Sequence, residues 1–332
     1  MLLAGFVGLL LAACGDSSAP APSGASAPST AKPAAPASAA ASGAKTKMVA
    51  GYSVVSASQI QLWAPAEGGY FANEGLDVQV IKAGAGSVGM AALLSGDINI
   101  IITSSTSTMN AAVEGAPLVY IGSTLERIVQ FMMARSDRAD LTSGKDLKGH
   151  KVGVTTPGSN SDTAAHLVAK QAGLEEPKDY TIVRMNDIPT IQAAAQNGAI
   201  DLAMIDSAAL AGAASGLKVV SDLTKSDVPF STIGFTTTRS YYQQHPNEIK
   251  AFGRAYAAAV KRIKSDQAFT NKVLAQYLKI DDTKTLDAIS AEFVPILDDE
   301  LAIHKEGLEN ARMFASYSLP KLQQFDVGKI EP

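Results

Sequence analysis

From residue 48 onward, short β-like runs alternate with helical ones, and this alternation constrains the fold more than any other feature of the chain. The first group of candidate strands is MVAGYSVV (48–55), LDVQVI (76–81), INIIIT (98–103) and PLVYIGS (117–123). The second is KVGVTT (151–156), YTIVRM (180–185), LAMI (202–205) and LKVVSDL (217–223). Helical patterns fill the gaps, as in TAAHLVAKQAGL (163–174), which closes near Gly173. Strand–helix alternation predicts an α/β fold, with parallel sheets covered by helices on both faces. Two longer extended runs, IVQFMMARS (128–136) and FSTIGFTTTRS (230–240), flank the second group, and each would cross between lobes as a hinge. After residue 246 the pattern turns helical to near the end. Ile249, Phe252, Tyr256, Val260 and Ile263 recur at i+3 and i+4, a stripe that predicts a buried face, with Asn247 as its N-cap. The simplest topology puts lobe one at 48–130 and 240–332, split around a continuous lobe two at 137–230. A chain of 332 residues can bury both cores.

Composition removes several functions. The 28 basic and 32 acidic residues give a net charge of −4, and no basic stripe appears, which argues against nucleic acid as a partner. The four histidines, His150, His166, His245 and His304, show no metal-ligand spacing, so no metal is expected. No G-x-S-x-G elbow, thiol nucleophile or serine–histidine pairing points to an enzyme. Residues 84–89, GAGSVG, fit the dinucleotide turn G-x-G-x-x-G. The next strand, however, ends ITSSTST, with no carboxylate to hold a ribose until Glu114, and the helix after the glycines ends by Gly96. The turn is read as ligand-facing or merely tight, and no cofactor is expected.

Residues 1–13, MLLAGFVGLLLAA, are apolar but shorter than the roughly 20 residues a membrane span needs, and suit a signal-peptide core. LAAC at 11–14 resembles the lipobox of bacterial lipoproteins, although no Lys or Arg precedes the apolar run. That resemblance implies a lipid on Cys14, export, and an anchor at the outer face of the cytoplasmic membrane. Residues 15–47 are nearly all Ala, Ser, Pro and Gly and cannot bury enough apolar surface to offset ordering. They are read as a disordered tether spanning roughly 30 Å.

Four phrases carry a second resemblance: GGYFANEGLDVQVI (68–81), LLSGDINI (93–100), DLKGHKVGV (146–154) and NGAIDLAMI (197–205). In order and spacing they resemble the nitrate/sulfonate/taurine-type substrate-binding proteins of bacterial ABC importers. The resemblance implies a two-lobed periplasmic-binding-protein fold of type II-like architecture, with mixed or parallel sheets flanked by helices and a cleft between the lobes. It implies a small-molecule ligand, permease transmembrane subunits as partners, and a monomer. The alternatives are a sensor for a membrane receptor and an enzyme on the same fold, since some fold relatives are catalytic.

In open α/β sheets ligands bind beyond the carboxyl ends of the strands, where helices begin. Those junctions hold Ser56, Ser58 and Gln59 after the first strand and Gly86 and Ser87 after the second. Ser104, Ser105 and Thr106 follow the third, Gly158, Ser159, Asn160 and Ser161 follow KVGVTT, and Asp206 and Ser207 follow LAMI. Each could be an ordinary helix cap. Collectively, hydroxyls and free N–H groups at helix starts favour an anion. Arg127 would add a guanidinium for that anion, or else pair with Glu126 at the hinge. Asp206 would take a ligand amino group or cap the next helix, and Trp63 is read as core before ligand contact.

Overall fold

A computed structural model describes residues 44–206, 216–226 and 228–332. The stretches read as a signal peptide and, to residue 43, as a tether lie outside the described residues, as do Cys14 and Ser207. The chain opens with β1 (Thr46–Tyr52), α1 (Ile60–Glu67), α2 (Tyr70–Asn73) and β2 (Leu76–Lys82). It continues with α3 (Ser87–Ser95), β3 (Ile100–Ser104), α4 (Ser105–Val113) and β4 (Leu118–Leu125). The second sheet is entered through β5 (Phe131–Arg135), then β6 (Lys151–Val154), α5 (Asn160–Gln171), β7 (Thr181–Arg184) and α6 (Ile188–Gln196). β8 (Leu202–Ile205) and β9 (Leu217–Asp222) follow, and β10 (Ile233–Thr238) returns the chain to the first sheet. The remainder is α7 (Arg239–Gln244), α8 (Pro246–Ser265), α9 (Gln267–Leu278), α10 (Thr283–Phe293), β11 (Leu297–Ala302) and α11 (Lys305–Ala315).

The first sheet runs β11, β4, β10, β3, β1, β2, and the second β7, β6, β8, β5, β9. Both are mixed. β1 pairs parallel with β2 and β3, and β6 with β7 and β8, as strand–helix alternation requires. β10 lies antiparallel between β3 and β4, and β5 antiparallel between β8 and β9. The two runs expected to cross as hinges at 128–136 and 230–240 therefore hold ladder strands. Their backbone groups are satisfied inside a sheet, and the linking residues shrink to 126–130 and 223–232.

The stripe on α8 is buried at Ile249, Phe252, Tyr256, Val260 and Ile263, and it covers the first sheet. Phe252 lies 5.0 Å from the Phe71 ring and 4.8 Å, edge-on, from Phe235. Each such side chain contributes about 1.5–3 kcal/mol of apolar burial. This helix begins at Pro246 with His245 at the cap position, two residues earlier than the cap expected at Asn247, because proline suits the first helical residue. Trp63 is fully buried, stacked 4.4 Å from Tyr277 and edge-on to Tyr52, so it is core. The segment 305–330, expected with the first lobe, shares one core with both sheets. Leu308, Ala311 and Ile330 pack with Met109 and Tyr120 from one side and Val152 and Leu202 from the other.

Candidate ligand cleft

The carboxyl ends of β1 and β3 face those of β6 and β8, and between them lies a narrow, partly open cavity of about 40 Å³. That is room for about three waters, less than an organic molecule fills. Helix starts surround it for a local reason: each short hydroxyl caps the backbone it precedes. Ser104 accepts from Ser107 N at the head of α4, Ser159 from Asp162 N at the head of α5, and Ser56 from Ser58 N at a single 3-10 turn. Gly86 heads α3 with φ +53°. A Cβ there would sit 2.4 Å from Thr156 Oγ1, so only glycine lets this turn meet the opposite lobe so closely.

The lobes touch through named bonds. Ser56 Oγ donates to Asp206 Oδ2 at 2.5 Å and Ser58 Oγ reaches the same oxygen at 3.4 Å. Thr106 Oγ1 donates to Gly158 O from the first lobe to the second. Behind that loop, Asp162 is fully buried, accepts from Gly158 N at 2.9 Å, and pairs with Arg184 at 3.2 Å. The buried carboxylate holds the loop through its bond from Gly158 N, and the half-exposed Arg184 balances its charge.

Of the residues singled out from sequence, Ser58, Ser104, Ser159, Asn160, Ser161 and Asp206 line the cavity. Ser56 and Gln59 stand behind them. Gln59 Oε1 accepts from Ser53 N, and its Nε2 donates to Ser58 Oγ. Ser105 is turned away, donating to Ser231 O. Ser87 is exposed and lines a neighbouring groove of about 500 Å³ with Met90 and Leu94. Arg127 is exposed and does not line the cavity. It meets Thr232 through its backbone carbonyl, and its guanidinium keeps its hydration instead of entering a narrow space. Gln130, Thr103 and Thr155 line the cavity without having been singled out. Gln130 was detectable in principle, as the one strongly polar residue in IVQFMMA.

Charge in the cavity is one-sided. Asp206, 4% exposed, is the only ionisable side chain among the described lining residues, and residues 207–215, SAALAGAAS, carry no charge. Nearby, burial first, and then the charges of Asp222 and Asp206, push the Glu292 carboxyl up to about 7. Several hydroxyl donors are already spent within the protein: Ser56 on Asp206, Ser105 on Ser231 and Thr106 on Gly158. Gln130 Oε1 and Asn160 Oδ1 are buried and have no hydrogen-bond partner among the described residues. These amides can present an acceptor to whatever occupies the cavity.

The fold has relatives of known structure. The alkanesulfonate-binding protein SsuA from Xanthomonas axonopodis pv. citri, bound to MOPS, superposes with a TM-score of 0.72 at 17% identity, over 88% of this chain and 96% of that one. The periplasmic nitrate-binding protein NrtA from Synechocystis PCC 6803 gives 0.69 at 13% identity, over 86% and 84%. In sequence, the chain is 25% identical over 220 residues to 4-amino-5-hydroxymethyl-2-methylpyrimidine phosphate synthase of Schizosaccharomyces pombe. That match spans 61% of this chain and 61% of the relative's length. The fold is that of the periplasmic binding proteins, with two mixed sheets flanked by helices and a cleft between lobes. The family profile described as NMT1/THI5 like matches residues 57–268, and the chain belongs to that family.

Proposed function

We propose that the protein is the solute-binding component of an ABC importer, closing on a small molecule that offers an amino or ammonium group to Asp206 and passing it to permease subunits. One observation carries the ligand class: a narrow cleft whose only lining charge, among the described residues, is a carboxylate. An anion at about 4 Å from that carboxylate would meet roughly 4 kcal/mol of repulsion at an effective dielectric of 20, with no basic side chain to offset it. This reverses the sign expected when Arg127 was counted in. A sulfonate or nitrate, as in the names of the structural neighbours, fits poorly, while an aminopyrimidine, as in the name of the yeast relative, carries a suitable donor. We read the protein as a binder and not a catalyst, because hydroxyls, amides and one carboxylate line the cavity, with no histidine or cysteine among the described lining residues.

The lobes hinge, in this reading, at 126–130 and 223–232. Lipidation of Cys14 would hold the monomer at the outer face of the cytoplasmic membrane, with the residues ahead of β1 as tether, two fewer than the 15–47 expected because Thr46 and Lys47 join the strand ladder. A charge-sorted thermal-shift panel tests the ligand class. Small amines and aminopyrimidines should raise Tm by mass action, and matched sulfonates, carboxylates and nitrate should not. Stabilisation by an anion in preference to every amine would sink the proposal.

A further inference from the structure

Away from the cleft, three ionisable side chains converge where the chain leaves the first sheet. Glu126 begins the link 126–130, Asp298 lies on β11, and His304 precedes the first turn of α11. One ligating atom from each lies within 4.8 Å of the other two. Glu126 Oε2, Asp298 Oδ2 and His304 Nε2 are all buried, and among the described residues none has a well-aligned hydrogen-bond partner, the His304–Asp298 contact being an ion pair. His304 Nε2 stands 3.1 Å from Asp298 Oδ2, the separation of two donors sharing one ion at about 2.0–2.2 Å each. Ser231 Oγ donates to Glu126 Oε1 at 2.5 Å, which fixes that carboxylate and leaves Oε2 facing the others. Gly307 leaves the space this oxygen occupies, since a Cβ there would come within 2.1 Å of it.

We propose that Glu126, Asp298 and His304 form a binding site for a divalent transition-metal ion, with zinc as the probe, at the root of the hinge. Two carboxylates and an imidazole suit zinc and its neighbours, whereas magnesium and calcium favour all-oxygen sets. Three protein donors leave a fourth position for water. The ion would tie the link 126–130 to β11 of the first sheet and to α11, which packs on both lobes. Histidine spacing conceals such a site, because its ligands are 172 and 6 residues apart in sequence, from 126 to 298 and from 298 to 304.

The test is a calorimetric zinc titration of the chelator-stripped full chain in a Cys14→Ser background, which removes the only thiol. Saturable one-to-one binding is expected, unaffected by excess magnesium. Affinity should fall at least tenfold in both Glu126→Gln and His304→Gln and stay unchanged in His166→Gln. If His304→Gln loses its circular-dichroism signature, Glu126→Gln and the wild-type titration decide. No saturable zinc binding, or full affinity in Glu126→Gln, would overturn the site.

Discussion

At the scale of single residues, the caps were legible and the charges were not. Ser104 and Ser159 announce themselves because a hydroxyl before an apolar helical pattern caps backbone N–H groups wherever it occurs. Arg127 misled because sequence gives its neighbourhood but not its direction, and a guanidinium beside a hinge can as easily face solvent. Gln130 escaped notice because burial inside an apolar run normally marks a strand. Two substitutions separate these roles. Asp206→Asn should weaken binding of an amine ligand roughly 10- to 100-fold, the loss of one charged hydrogen bond of about 1.5–3 kcal/mol. Arg127→Ala should leave affinity within about twofold, because the side chain is exposed and does not line the cavity; calorimetry on both variants checks the pair. Gly86→Ala should lower affinity by roughly tenfold or more, about 1.4 kcal/mol, because its methyl meets Thr156 on closure. Adding Thr156→Ala should recover part of that loss, and no recovery would mean that backbone strain at φ +53° is the whole effect.

At the scale of elements, periodicity recovered what packs and missed what pairs. The α8 stripe and the strands β2, β3 and β8 follow from residue spacing, since burial on one face or both leaves a pattern in the chain. That β5 and β10 insert antiparallel into opposite sheets is a property of long-range partners, which no local pattern records. β11 was invisible because LDDELA is acidic and pairs with β4 only near its ends, at Leu297 and Ala302. α10 carries Glu292, whose carboxyl is raised to about 7 first by burial and then by Asp222 and Asp206 on the other lobe. An acid raised above its unfolded pKa of about 4.3 costs stability when it ionises. The cost therefore grows as pH climbs from the unfolded value through 7. Glu292→Gln should come close to wild type in Tm near pH 4.5 and melt higher at pH 8, where it should be more stable by about 1–2 kcal/mol after solvent screening. Equal melting curves at pH 8 would show that the carboxyl is relieved by opening of the lobes.

At the scale of the whole molecule, the account rests on motion. The cavity of about 40 Å³ is bridged from lobe to lobe by Ser56–Asp206 and Thr106–Gly158, which we read as the closed state. In the proposed motion the links between sheets bend, and the shared core around α11 keeps the lobes joined. Like charges on Asp206, Asp222 and Glu292 oppose closure, so an amine bound at Asp206 would favour it by lowering the local negative charge. Small-angle scattering, recorded without ligand and with an amine ligand shown by calorimetry to be saturating, tests this most directly. The account predicts a smaller radius of gyration in the saturated protein, with the same variant Asp206→Asn failing to contract at that concentration. Superimposable scattering curves with and without a confirmed ligand would contradict it.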